Sequence, residues 1–506
     1  MTAATVHRYR TIFVVVLLVQ VLLALGVAYL YSALSNTLRD NGRWDSTKVG
    51  LARGVMGAKT FITDRRTLSR EQLDLGRWHG HQEVAYREPL ALQTASVDFL
   101  VEPNAYLIFI FGKSAEEFYG LRLSRHPRFD SLFFRARDDG EFTATQPLTN
   151  AVPIDDWMQL RMEFEPSGVT AFVDETAVGR FAAVLPDRQV VGFRGSDHRA
   201  VIDNIRLAHA GGVVVETFFN QAGFMRGLVM VSVLFVLIDT IAVCRDSLMG
   251  TASLKTPFVV LTATLAMLVC VGLFLVAYNV VISRGYLSLG FHGEEDYRIK
   301  WVSKTTAEIR ARYPTKPPPD TTRVLVVGTS QTWGAGAAHE EETFVRILER
   351  RLDDTAPAER SFECINAGIS ALNAPWLLQL YRDEWIRLAP QVLVLNLATN
   401  DGGLKQDDLF IEVLNEFVRL SREQGIAVLF VLEANSIEHS PGELRLHPIM
   451  RDIAEQHGVP LFDMHDYVSQ QTRRGLLWWD FVHPTSFGHR VLADALAPEV
   501  AALIDE

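Results

Sequence analysis

The sequence predicts a multidomain membrane protein with three transmembrane helices, an all-β sandwich between the first and second, and a C-terminal three-layer α/β/α domain. Three observations predict it. Apolar runs at 11–34, 227–244 and 257–283 approach or exceed the roughly 20 residues that cross a bilayer. Residues 96–207 read as short strands of period two divided by turn residues. Beyond a proline cluster at 314–320, short β-branched runs alternate with helical patterns, the signature of a parallel sheet covered on both faces.

A chain of 506 residues is long for one domain, and two or three are expected. A net charge of −11 argues against a general polyanion binder, so no nucleic-acid partner is expected. The three cysteines, Cys244, Cys270 and Cys364, are too few for a disulfide framework and read as structural.

The first span, Thr11–Leu34, follows a short tail that carries Arg8 and Arg10. A cleaved signal peptide is the alternative, but the run is longer than the usual apolar core and lacks a convincing cleavage site. The second and third spans are joined by a hairpin with Arg245 and Lys255. Three crossings put residues 35–222 and 285–506 on one side, and the basic tail and hairpin make that side extracytoplasmic (periplasmic). Arg226 and Arg284 pull the other way. Asp239, inside the second span, reads as an interfacial residue near Arg245.

In the sandwich, placed at 88–210, Met158–Phe164 alternates apolar and polar, Pro166-Ser-Gly168 turns, and Val169–Val173 returns. Ala105–Phe111 is nearly all apolar and suits a strand covered on both faces. Trp157, Val169–Val173, Val191-Gly-Phe193 and Asp203-Asn-Ile205 together resemble the concanavalin-like (laminin-G-like) jelly rolls. That resemblance implies a glycan ligand, sometimes with calcium, and a spacer without ligand remains open beside it. Asp203 and Asn204 could ligate a metal, but capping a turn is their expected role.

Residues 284–320 read as a charged surface helix, with Tyr297, Trp301, Ile309 and Tyr313 interspersed, and then a stiff proline-rich linker that marks the domain boundary. The last domain, placed at 321–506, has strands expected at 323–327, 362–366, 392–397, 426–432 and 460–462. Helices are expected at 341–352, 374–388, 409–424 and 486–504.

The first of these strands runs into Gly328-Thr-Ser-Gln-Thr-Trp-Gly334, which puts Ser330 at the carboxyl end of the sheet, where open α/β folds bind ligands. A serine hydroxyl is a poor nucleophile until a base takes its proton, and the base needs an acceptor that fixes its tautomer. Trp478-Trp-Asp-Phe-Val-His-Pro484 supplies both from one loop, as Asp480 and His483. Ala367-Gly368 follows the second strand and Asn400 the third, each of Gly368 and Asn400 able to offer an N–H to an oxyanion beside the Ser330 N–H.

Ser330, Gly368, Asn400 and the Asp480/His483 pair, in that order, resemble the SGNH (GDSL-like) hydrolase family over roughly 320–506. The resemblance implies a flavodoxin-like sheet, Ser330 as nucleophile, His483 as general base, Asp480 as its orienting acid, and Ser330, Gly368 and Asn400 as oxyanion donors. Thr329 stands where the family usually has aspartate, and Ala398 where it usually has glycine.

The expected activity is a membrane-anchored serine esterase acting on an O-acyl or O-acetyl group of a cell-envelope glycan, or on a lipid ester, with no cofactor and no metal. The alternatives are an O-acetyltransferase served by a partner membrane protein and a non-catalytic glycan-binding scaffold. Elsewhere, His489 reads as a surface or capping residue, and His447 and His465 lack partners at metal-ligand spacing. Trp333, Trp478 and Trp479 read as packing rather than pocket walls, and Asp401 as the source of a supporting hydrogen bond.

Overall fold

A computed structural model describes residues 44–46, 73–75, 83–86, 89–216 apart from 115, 151–153, 155 and 197, then 309 and 311–505 apart from 403–405 and 439–443. The three expected membrane spans, with Asp239, Cys244 and Cys270, lie outside the described residues. Among the described residues no helix is long and apolar enough to cross a membrane.

The N-terminal part is an antiparallel β-sandwich. One sheet has the spatial order β1 (Trp44–Ser46), β3 (Glu83–Tyr86), β12 (Val190–Gly195), β5 (Tyr106–Lys113), β6 (Glu117–Ser124), β7 (Leu132–Arg137), β8 (Phe142–Pro147). The other runs β11 (Thr176–Ala182), β10 (Gly168–Val173), β9 (Met158–Glu165), β4 (Leu92–Val101), β13 (Ala200–His209), β14 (Gly212–Glu216), and β2 (Leu73–Asp74) pairs with β13.

Alternation decides what faces in. Leu160 and Met162 of β9 and Val169, Ala171 and Val173 of β10 point into the core between the sheets. Each large apolar side chain buried there contributes on the order of 1.5–3 kcal/mol. Strand β5 is apolar at both parities because both its faces are covered. Leu107, Phe109 and Phe111 enter the sandwich core, whereas Tyr106, Ile108 and Ile110 form a second cluster with Leu476 of the C-terminal domain.

The C-terminal domain is α/β, with the all-parallel sheet order β16 (Ser361–Gly368), β15 (Thr321–Gly328), β17 (Val392–Leu397), β18 (Ala427–Leu432), β19 (Leu461–Phe462). Its helices are α1 (Ser330–Trp333), α2 (Phe344–Thr355), α3 (Ala374–Asp383), α4 (Asp407–Glu423), α5 (His447–His457), α6 (Met464–Ser469) and α7 (Ser486–Asp505). On β15, Leu325 and Val327 face a layer made by α3, α4 and α5, and Val324 and Val326 face one made by α2, α6 and α7. Strand order reverses beside β15, so the end of that strand opens on the crevice of a doubly wound sheet.

Several expected boundaries shift. The sandwich, placed at 88–210, also takes in β1, β2 and β3 and runs on to Glu216 in β14. In the α/β domain, the helix expected over 374–388 ends at Asp383, and Trp385–Leu388 form a 3₁₀ turn. The helix expected from 341 begins at Phe344, because Glu340–Glu342 form a 3₁₀ turn ahead of Thr343. The domain also begins before the proline-rich segment. Ile309 and Tyr313 are buried in its core, and Pro314 O accepts from the fully buried Arg323 at 2.6 Å.

The sandwich and the α/β domain are joined along residues 474–490. Phe142 N donates to Arg474 O at 2.8 Å and Leu476 N to Gly140 O at 2.9 Å, with a bridge between Glu141 and Gly475. Arg490 adds ion pairs to Asp139 at 2.7 Å and Glu141 at 2.8 Å.

Candidate active site

Strand β15 ends at Gly328, and Thr329 leads into α1, a single turn. Ser330 is its first residue, so the Ser330 N–H has no acceptor within the helix. Gly334, at φ +111°, ends that turn in a conformation few other residues adopt.

Opposite lies the turn 478–484. Trp478 bridges to Pro484, and Trp479 N donates to His483 O at 2.8 Å. The Asp480 carboxylate fills the turn: Oδ1 accepts from Val482 N at 2.9 Å and His483 N at 2.8 Å. Its Oδ2 is 2.8 Å from His483 Nδ1, and His483 Nε2 is 2.8 Å from Ser330 Oγ. With a carboxylate on Nδ1, that nitrogen carries the proton and Nε2 is left to accept from the serine hydroxyl. Asp480 and His483 are both buried. A hydroxyl, an imidazole and a carboxylate in this series can generate an alkoxide-like nucleophile.

The oxyanion candidates differ among themselves. One Asn400 Nδ2 hydrogen goes to Leu372 O at 2.8 Å, and an amide nitrogen carries a second. Gly368 N donates to Asn366 Oδ1 at 3.0 Å, so its N–H is already occupied, contrary to its expected role. Glycine is needed there for another reason, since an added Cβ would fall 2.1 Å from Trp333 N. The loop after β16 instead contains Ala371 at φ +65°, whose N–H makes no hydrogen bond to another described residue.

Both departures from the family pattern have structural counterparts. Thr329 Oγ1 donates to Glu433 Oε1 at 2.9 Å, and Glu433 Oε2 accepts from Thr399 N at 2.8 Å. A carboxylate from the end of β18 thus ties the residue before Ser330 to the residue before Asn400. Burial raises its pKa. Sequence reasoning missed Glu433, since nothing at 433 marks it as a neighbour of 329. Ala398 sits at φ +136°, a conformation that costs a non-glycine residue on the order of 1–3 kcal/mol.

Of the residues set aside earlier, His489 lies below the surface rather than on it, and its Nδ1 accepts from Phe344 N, the first residue of α2, at 3.4 Å. It is fully buried, with Nε2 3.1 Å from Ala335 O, and burial holds its pKa down to about 4. His447 and His465 are buried with ring centroids 5.6 Å apart. No group of three or more His, Cys, Asp or Glu among the described residues is arranged to hold a metal ion. Trp333, Trp478, Trp479 and Cys364 are all buried. Asp203 accepts from Asn204 N at 2.7 Å, a local turn contact.

Asp401 Oδ1 accepts from Ala374 N at 2.9 Å, the first residue of α3, while Oδ2 is buried with no hydrogen-bond partner among the described residues. Burial pushes its pKa from 3.8 up to about 6. The folded state therefore holds this proton more tightly than the unfolded chain. The stability it contributes is complete below about pH 4 and is lost as pH rises through about 6, by up to about 3 kcal/mol. Urea midpoints at pH 5 and pH 8 should show this slope in the wild type and its flattening in Asp401→Asn; equal slopes would refute it.

Residues 326–491 match the model of the GDSL-like lipase/acylhydrolase family. The C-terminal domain is a GDSL-like ester hydrolase. Solved structures similar to this hydrolase domain include an acetyl xylan esterase, AlAXEase, at 24% identity over 35% of this chain and 99% of that one, TM-score 0.31. Another is the lipase/acylhydrolase from Enterococcus faecalis, at 18% identity over 36% and 96%, TM-score 0.31. A third is a two-domain esterase active on acetylated mannans, at 19% identity over 42% and 54%, TM-score 0.33. No curated protein matches the chain.

Proposed function

We propose that the protein is a serine esterase that removes an acyl group, acetyl in the first instance, from a cell-envelope glycan through an acyl-serine intermediate. The observation that supports this most is the unbroken series Asp480–His483–Ser330, with 2.8 Å at both junctions. Ser330 Oγ attacks the ester carbonyl as His483 Nε2 takes its proton, and Asp480 faces the imidazolium that forms. The oxyanion lies against the Ser330 N–H and the second Asn400 amide hydrogen, and Ala371 N–H takes the place first assigned to Gly368. His483 returns the proton to the departing alcohol, and a water deprotonated by His483 then cleaves the acyl-enzyme.

The three apolar stretches support an anchored protein with both folded parts on the extracytoplasmic side.

The test is turnover of an O-acetylated glycan and of p-nitrophenyl acetate, with a fluorophosphonate probe to mark the nucleophile. Labelling at Ser330 with release of free acetate is the expected result. Acetyl appearing on an added hydroxyl acceptor instead would make the protein a transferase, and absence of labelling would support a non-catalytic scaffold. Asn400→Ala should lower kcat about a hundredfold or more with the fold intact, since a single oxyanion donor lowers the barrier by about 3 kcal/mol. Unchanged turnover would remove Asn400 from the site.

A further inference from the structure

The turn that carries Asp480 and His483 fixes its own shape through the bonds to Asp480 Oδ1 and His483 O. Those bonds do not fix where the turn sits relative to Ser330, which belongs to a different element. That distance depends on the bonds leaving the turn, and two of them lead to the β-sandwich.

Trp478 O, two residues before Asp480, accepts from Arg194 Nη2 of β12. Phe481 O, on the other side of Asp480, accepts from Ser436 N at 2.9 Å. Ser436 belongs to a short segment whose far end is gripped by the sandwich. Tyr106 OH donates to Glu438 Oε1 at 3.0 Å, His198 Nε2 lies 3.1 Å from Glu438 O, and Glu438 N donates to Ser436 Oγ at 3.3 Å. Arg194, Tyr106 and Glu438 are all at most 5% exposed, so water does not compete for these bonds. Burial, and then Glu438, keep the Tyr106 hydroxyl well above its ordinary pKa, so it stays a donor.

We infer that Arg194 and the Tyr106–Glu438 pair are positioning residues for the reaction: from the sandwich, they set the place of the Asp480–His483 turn against Ser330. The inference rests on the reading of Ser330, His483 and Asp480 as the working triad. In it the sandwich is the second half of the active-site scaffold, whatever else it binds. A shift of about 1 Å in a catalytic base costs on the order of a hundredfold in rate. Loss of either tether acts on kcat and spares the binding of a small ester.

The experiment compares full-length wild type, Ser330→Ala, Arg194→Met, Arg194→Lys and Tyr106→Phe on p-nitrophenyl acetate. It also follows fluorophosphonate labelling, thermal midpoint, and the far-downfield proton resonance of a histidine Nδ1–H bonded to carboxylate. Arg194→Met keeps the apolar stem and removes the donor. It should lower kcat about tenfold to a hundredfold, leave KM within about twofold, and weaken the downfield resonance while the protein stays folded. Arg194→Lys should recover most of the rate, and Tyr106→Phe should lose about threefold to tenfold.

Wild-type kcat in folded Arg194→Met and Tyr106→Phe, or losses that only track the unfolded fraction, would overturn the inference and leave the triad standing. Should Arg194→Met not fold, Tyr106→Phe, which removes a single hydroxyl, decides on the same criteria. A wild type indistinguishable from Ser330→Ala in both turnover and labelling would sink the triad and this inference with it.

Discussion

Ser330→Ala is expected to lower kcat for ester hydrolysis about a millionfold and to abolish fluorophosphonate labelling, with the thermal midpoint nearly unchanged. The size follows from what one oxygen does. Ser330 Oγ is the atom 2.8 Å from His483 Nε2, and without it the imidazole has nothing to deprotonate except water. The small effect on stability follows from the surroundings: Ser330 is only partly buried, so losing one hydrogen bond costs about 1 kcal/mol. Turnover within about a hundredfold of wild type would take Ser330 out of the chemistry.

Asp480→Asn should lower kcat about ten-thousandfold and yet preserve the turn. The amide oxygen can occupy the place of Oδ1 and still accept from Val482 N and His483 N. The amide nitrogen then faces His483 Nδ1, where the wild type has Oδ2. An N–H donor there makes Nδ1 the acceptor, moves the ring proton to Nε2, and sets a donor against the serine hydroxyl. Asp480→Ala removes both functions, so it should also lower the thermal midpoint, which Asp480→Asn should not. Turnover of Asp480→Asn within about tenfold of wild type would show that Asp480 does not set the tautomer.

Much of this site was legible because its residues lie at the ends of elements that announce themselves. Strands β15 and β17 are short, rich in Val and Leu and buried on both faces, so Ser330 and Asn400 could be placed at the carboxyl edge of a sheet before any coordinates. Asp480 and His483 are three residues apart, and local spacing is what a sequence shows best. What stayed hidden depends on distant partners. Gly368 looked like a free donor because nothing in the pattern says that the Asn366 side chain turns back to accept from it. Glu433, Arg194 and Tyr106 each act on a residue at least 100 positions away. His489 looked superficial, but it is buried where α7 packs against α2 and the loop at Ala335. The apolar run of β5 did signal two covered faces, but not that the second cover comes from the far end of the chain.

The pairing of Gly475 with Glu141 has a consequence for biosynthesis. A ribosome delivers Ser330 long before His483, which trails it by 153 residues, and the strip that docks the turn arrives later than the sheet it docks against. Contacts this distant in sequence close late. A nascent chain that has not yet reached His483 therefore exposes a serine with no base beside it, and esterolytic competence is withheld until the 474–490 strip has been made and has docked.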